Sequence, residues 1–489
     1  MAKTIMIQGT MSNVGKSLLT AALCRIFAQD GCKAAPFKSQ NMALNSHITS
    51  DGLEMGRAQA MQAEAAGIEP SALMNPILLK PTSDAGSQVI VNGEVRGNMT
   101  ASEYFARKKE LIPEITRAFQ TLAAQNDIVV IEGAGSPAEL NLKTDDIVNM
   151  GMARLAKSPV LLVGDIDRGG VFAQLLGTLA LLEESERAMV KGLVVNKFRG
   201  DKNIFSDGID ILEQRGKIPV AGVIPYIHCD IEDEDSLSEK LENRAAEGII
   251  DIAVIRLPRI SNFTDFDVFS QYSGVSVRYA AKPEELETAD LIIIPGTKST
   301  ISDMRFLRES GLEAAVKKCA SRGTPIFGIC GGYQMLCEEI SDPLCSENGG
   351  AIRGMGLLRG KTVFSAEKKR TQTEGFFENI GGAFSALSGK KFSGYEIHMG
   401  QTETEGQPLL NCGGAHSENV YGCYIHGIFD SAEISKTIVE TLYDRRGLTF
   451  DGKAVDRIAY KNRQYDLLAQ SVRENLNMEL VYKILNDGL

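Results

Sequence analysis

Ile5-Met6-Ile7-Gln8-Gly9-Thr10-Met11-Ser12-Asn13-Val14-Gly15-Lys16-Ser17, running straight into Leu18-Leu19-Thr20-Ala21-Ala22-Leu23-Cys24, decides the fold of this chain. An apolar run, a loop of small residues ending in Gly-Lys-Ser and an apolar helical stretch make a strand–loop–helix order. That order aims backbone N–H groups and a helix N-terminus at an anion. Glycine lets the backbone approach phosphate oxygens, Lys16 can reach the β- and γ-phosphates, and the Ser17 hydroxyl can ligate Mg²⁺. Gly9, Thr10, Ser12, Asn13, Val14, Gly15, Lys16 and Ser17 are therefore the nucleotide-binding candidates. Five residues, Thr10 to Val14, separate Gly9 from Gly15, where the common pattern has four.

Outward from this stretch, 489 residues are enough for about two or three domains with sizeable cores. Charged residues at 24% and hydrophobic ones at 43% describe an ordinary soluble composition. A net charge of −11 argues against a broad nucleic-acid surface but allows a local basic pocket. No apolar run reaches membrane-spanning length and the N-terminus has no signal-peptide pattern, so a cytoplasmic protein without a membrane partner is expected. Nine cysteines without a Cys-x-x-Cys pair exclude a disulfide framework and a zinc ribbon.

The N-terminal half alternates strand-like runs, Thr4–Ile7, Ala34–Phe37, Asp127–Ile131, Val160–Val163, Gly192–Val195 and Val220–Ile224, with helical patterns. This is the order of a parallel sheet covered by helices, whose ligands sit beyond the carboxyl ends of the strands. There stand Lys38, able to bring a second positive charge to phosphate, and Glu132 of Glu132-Gly133-Ala134-Gly135, a Mg²⁺ partner for Ser17. Asn196 follows the fifth run, where its amide could read an adenine edge. Thr144-Asp145-Asp146 precedes the helical pattern Ile147–Lys157, and an N-cap with acids in the first turn accounts for the triplet.

Residues 231–248, rich in Glu, Asp, Ser and Lys, read as a linker between a unit at 1–230 and a second α/β unit at 249–440, with a helical extension at 441–489. The second unit brings strand-like runs at Asp251–Arg256, Leu291–Ile294 and Pro325–Gly328. Gly328-Ile329-Cys330-Gly331-Gly332 is the thiol version of a nucleophile elbow, in which a tight strand-to-helix turn exposes the nucleophile. The Gly331 N–H and an amide of Pro295-Gly296-Thr297, with Gly296 the candidate, would form an oxyanion hole. A thiol wants an imidazole base. His426, at the end of an apolar run, is the candidate, and His398 its competitor.

Gly328–Leu336 with His426 resembles the class I glutamine amidotransferases, in which cysteine attacks the glutamine amide and liberates ammonia. The N-terminal half, with its extended Gly9–Ser17 loop and Glu132-Gly133-Ala134-Gly135, resembles the dethiobiotin synthetase group of ATP-dependent carboxylate activators. The order of the halves, with Lys38–Ser46 and Gly394–Gly400, is similar to the cobyric acid synthases over essentially the whole chain. That resemblance implies two parallel-sheet α/β domains, ATP and Mg²⁺ as cofactors, and glutamine and a corrinoid polycarboxylate as substrates. The reaction implied is amidation of carboxylates b, d, e and g of adenosylcobyrinic acid a,c-diamide. It further implies Cys330 as nucleophile, His426 as its base, Lys16 and Lys38 at the phosphates, Ser17 and Glu132 at Mg²⁺, and Asp146 near the corrinoid. The acid that class I members carry two residues after the histidine is Ile428 here, so no residue is assigned to orient the ring. Two other readings share parts of the pattern. The sister amidation of cobyrinic acid uses the same two-part chemistry. A partitioning-type ATPase switch carries a lysine where this chain has Met11 and has no use for a cysteine elbow.

Overall fold

In the computed structural model, which describes residues 2–82, 86–231, 248–347 and 349–489, all six strand-like runs of the N-terminal half form one sheet. These strands are β1 (Lys3–Gly9), β2 (Ala34–Phe37), β3 (Ile128–Glu132), β4 (Val160–Asp165), β5 (Val190–Phe198) and β6 (Val220–Pro225). Their spatial order is β6-β5-β4-β1-β3-β2 and every pairing is parallel. Apolar residues on both faces of β1, β3 and β4 are buried, as a sheet covered on both sides requires. Helix α1 (Lys16–Gln29), rich in Ala and Leu, follows the Gly9–Ser17 loop and packs Leu19, Leu23 and Phe27 into one of the two cores.

The stretch after β2 adds a second small sheet. Gln40–Met42 pairs parallel with Ile77–Pro81, which continues antiparallel into Gly86–Val91 and Glu94–Thr100. The helix expected at 147–157 begins only at Met150 and ends at Ala156. Thr144 does not cap it. The Asp146 carboxylate instead accepts from the N–H groups of Val148, Asn149 and Gly151 at 2.8–2.9 Å.

The second sheet holds β7 (Ile250–Ile255), β8 (Val275–Ala280), β9 (Leu291–Ile294), β10 (Ile326–Ile329), β11 (Gln407–Leu410), β12 (Gly413–Ser417) and β13 (Val420–Cys423). Its order is β8-β7-β9-β10-β13-β12-β11, parallel through β13 and antiparallel beyond. A separate sheet built on the long strands Gly360–Phe376 and Lys391–Thr404 flanks it.

Two expected boundaries meet the structure differently. The linker at 231–248 lies almost wholly outside the described residues. Helix Ala432–Arg445 runs across 440/441 and places Leu442 and Tyr443 in the second core, because its apolar face continues for another turn. After it the chain returns to its start. Helices α4 (Arg457–Asn475) and α5 (Met478–Asp487) bury Leu468, Val472, Val481 and Ile484 against the core of α1 and β1. Asn477 N–H donates to Ala221 O at 2.7 Å, and Arg25 pairs with Asp466 at 2.9 Å.

Candidate functional site

Two chemically distinct centres sit at the carboxyl ends of the two sheets. In the first, the backbone of Gly9–Ser17 wraps a concavity, with Asn13 at φ 61° and Gly15 at φ 95°. Gly15 is fixed by space as well as conformation, since a Cβ there would lie 2.3 Å from Asn196 Nδ2. Lys16 Nζ donates to Met11 O (2.9 Å) and Gly135 O (3.1 Å), bracing the loop on the turn after β3. Glu132, at the last position of β3 and buried, gathers three partners. Oε1 accepts from Lys38 Nζ at 2.8 Å and Ser17 Oγ at 2.9 Å, while Oε2 accepts from Gln62 Nε2 at 2.6 Å. Ser17 and Glu132 thus present a hydroxyl and a carboxylate oxygen side by side, the donor type that a hard divalent cation takes. Gln62 carried no signal in the sequence, because it comes from the helix Arg57–Ala66, beyond the strand ends.

Asn196 occupies the end of this loop, donating from Nδ2 to Val14 O at 2.7 Å. Its amide therefore supports the phosphate loop directly. Asp146 does not join the Glu132 cluster, and its carboxylate is given to the turn it caps.

In the second centre Cys330 stands between β10 and the short helix α3, taken here as Gly331–Leu336, with α2 (Thr300–Glu309) preceding it in the chain. Its φ of 52° and ψ of −109° are sparsely populated for a residue with a side chain, as the sharp turn of an elbow demands. Gly332 is required by contact, since a Cβ would come within 1.9 Å of Ile294 O. His426 is buried opposite, its backbone pinned to Tyr395 by N–H···O bonds of 3.0 and 2.9 Å in both directions.

The residue that orients the ring is Asp265. Its Oδ2 lies 2.7 Å from His426 Nδ1, and its Oδ1 accepts from Gly427 N–H at 3.2 Å. Burial disfavours a charged ring, but the Asp265 carboxylate, its hydrogen bond and a hydrogen bond with Cys330 outweigh this and raise His426 to about 10. Asp265 lies on the 3₁₀ stretch Phe263–Gln271, which is too far from His426 in sequence for any spacing rule. Its signal was its company: a carboxylate among the buried Phe263, Phe266 and Phe269 must have a polar partner. His398, the competing base, instead holds Gly400 O at 2.7 Å and Glu396 at 3.0 Å and stacks on Tyr424.

Gly296 pairs with Ser261 in a two-residue antiparallel ladder and backs the imidazole, where an added Cβ would sit 3.0 Å from His426 Cε1. The neighbouring Thr297 amide nitrogen lies on the Gly331 side, 3.1 Å from where a Gly331 Cβ would be.

Removing the carboxylate by Asp265→Asn is expected to lower glutamine turnover by up to about 10⁴-fold. It should also move the basic limb of the pH–rate profile to lower pH, because the ring loses the charge that raises it. A basic limb that stays in place would show that Asp265 does not hold the ring. The linkage has the same sign: a raised imidazole stabilises the folded chain below its ordinary range, and that contribution fades as pH rises toward 10.

The centres are joined by the segment that begins at Lys38. Asn45 Oδ1 accepts from Asn262 N–H at 2.7 Å, and Asn262 Oδ1 accepts from Ser46 N–H at 3.1 Å. Buried Glu54 bridges Lys80 of the first half (2.9 Å) and Lys368 of the second (2.6 Å).

No described helix is long and apolar enough to cross a membrane. Residues 5–238 match the family described as the CobQ/CobB/MinD/ParA nucleotide binding domain, and residues 251–434 match the CobB/CobQ-like glutamine amidotransferase domain. The chain is 58% identical to cobyric acid synthase of Lachnoclostridium phytofermentans over 100% of both chains. It is 56% identical to that of Ruminiclostridium cellulolyticum, covering 100% of this chain and 98% of the other. With that of Alkaliphilus metalliredigens it shares 52% identity over 98% of this chain and 99% of the relative. With the elbow, the phosphate loop and their order in one chain accounted for along this full length, the chain belongs to the cobyric acid synthase family.

Proposed function

We propose that this chain makes adenosylcobyric acid in cobalamin biosynthesis by amidating carboxylates b, d, e and g of adenosylcobyrinic acid a,c-diamide with ATP and glutamine. The Cys330–His426–Asp265 constellation and the Lys16–Ser17–Glu132 cluster, held in one chain, carry this reading. Cys330 Sγ attacks the glutamine amide carbon, with the oxyanion held by the Gly331 amide and the Gly296–Thr297 segment. His426 passes its proton to the leaving nitrogen while Asp265 holds the ring. Ammonia leaves, and water releases glutamate from the thioester.

A carboxylate is a poor electrophile, so the corrinoid carboxylate first attacks the γ-phosphate of ATP to give an acyl phosphate and ADP. Ammonia then displaces phosphate from it. Lys16 and Lys38 offset the charge of the transferring phosphoryl group, and the backbone of Gly9–Ser17 cradles the phosphates. Mg²⁺, held by Ser17 and Glu132, would supply further neutralisation of the phosphate oxygens. Asn196 supports the loop through Val14 O and would meet the adenine edge with the rest of its amide, and Asp146 is proposed to lie near the corrinoid. A cytoplasmic location, near ATP and glutamine, belongs to the same reading.

Incubation with ATP, Mg²⁺ and glutamine, offering each corrinoid acid separately, tests it by mass spectrometry. Four amidations of the a,c-diamide are expected. Amidation of cobyrinic acid alone would assign the sister reaction instead.

A further inference from the structure

We propose that Lys298 receives the α-carboxylate of glutamine, in a pocket closed partly by the ATP-binding half of the chain. This rests on the glutaminase reading above and adds the residue that selects the donor. Lys298 follows the Gly296–Thr297 segment and lines the cavity that also holds Cys330, His426, Lys80 and Lys368. Its side chain is buried, with 8% of the residue exposed. Among the described residues no carboxylate lies within 4.0 Å of its ammonium group, and Nζ makes one long hydrogen bond, 3.4 Å to Gln88 Oε1. Lys368 Nζ donates to the same oxygen at 3.3 Å. A neutral amide oxygen shared by two ammonium groups is a weak substitute for an anion.

Glu54 gives Oε1 to Lys80 and Oε2 to Lys368, while Glu347, which accepts from Thr300 N–H through Oε2 at 2.7 Å, acts on Lys298 through space without an ion pair to it. Three lysines, Lys80, Lys298 and Lys368, therefore share this wall with two carboxylates, Glu54 and Glu347, and among the described residues Lys298 is the one without an ion pair. A buried ammonium without an anion is costly, and a ligand that brings a carboxylate offsets that cost. Extended glutamine puts its carboxylate carbon roughly 5 Å from its amide carbon by standard bond lengths, and Lys298 and Cys330 line one cavity. Lys298 is close enough to Cys330 for a charge on the sulfur to act on the ammonium. Gln88 and Lys80 come from strands of the first half, so that half helps form the pocket.

The test uses the full-length enzyme and compares L-glutamine with L-glutaminamide, whose α-carboxylate is replaced by a neutral amide. Ammonia-dependent amidation provides the reference for folding. The unaltered chain should prefer glutamine in KM by on the order of 10- to 100-fold, the range of a charge-assisted hydrogen bond. Lys298→Met should raise the glutamine KM by a similar factor, change kcat less, and erase the preference. Lys298→Gln, which keeps a polar head without charge, should do the same and serves if the methionine variant does not fold. Lys298→Arg should keep part of the preference. Equal KM values for the two donors in the unaltered chain, or a preference that survives in both uncharged variants, would overturn the assignment. Absence of ammonia-dependent amidation in the unaltered chain would count against the ligase reading.

Discussion

Replacing Cys330 by alanine is expected to abolish glutamine-dependent amidation while amidation from ammonia continues. The elbow presents this thiol beside His426 at the end of the second sheet, whereas the Ser17–Glu132–Lys38 cluster is built on the first. Loss of the nucleophile removes the thioester route altogether, a decrease of at least about 10³-fold. The substitution removes a sulfur that donates to Ile397 O at 3.7 Å and is hydrogen-bonded with His426, two contacts of a weakly bonding atom, so the fold should tolerate it. Rates with glutamine and with ammonium chloride, measured on one preparation, decide the matter. Glutamine still serving as donor in that variant would remove Cys330 from its role.

Lys16→Ala should produce the complementary result. Both donors should fail together, by on the order of 10²- to 10³-fold, because the phosphoryl group loses a pre-positioned cation whatever the source of nitrogen. Hydrolysis of glutamine to glutamate is the informative control, since a retained glutaminase rate locates the damage in the first centre. Lys16 suits this test better than Glu132. Removing the Glu132 carboxylate breaks its buried 2.8 Å pair with Lys38 and so mixes stability with catalysis. Lys16 loses two hydrogen bonds to backbone oxygens, a smaller disturbance. Glutamine-supported activity persisting in Lys16→Ala would argue against phosphate activation at Gly9–Ser17.

The features legible in the sequence were those whose chemistry is local. A strand buried on both faces reads as a continuous apolar run, so the six parallel strands of the first sheet stood out, ends included to within a few residues. Cys330 and Gly9–Ser17 are turns with steric requirements that only glycine meets at fixed offsets. Asp265, Gln62 and Lys298 are different in kind. Each acts across a fold contact, and residue identity alone does not distinguish a buried carboxylate that orients an imidazole from one on a surface helix. The helix starts at Met150 rather than at 147 because the Asp146 carboxylate takes the N–H groups of Val148 and Asn149 into a turn ahead of it. The antiparallel strands at 77–100 escaped because they insert between β2 and β3, where the alternation of strand and helix breaks.

The return of α4 and α5 to the first sheet bears on how the chain is made. The core around α1 is completed by Leu468, Val472 and Ile484, which follow the second unit in the chain. The second unit, encoded between the two parts of the first, can close around β7–β13 while its N-terminal neighbour still waits for those side chains. The protein is thus a nested arrangement, in which the ligase core is completed by residues that lie beyond the ammonia-producing module in sequence.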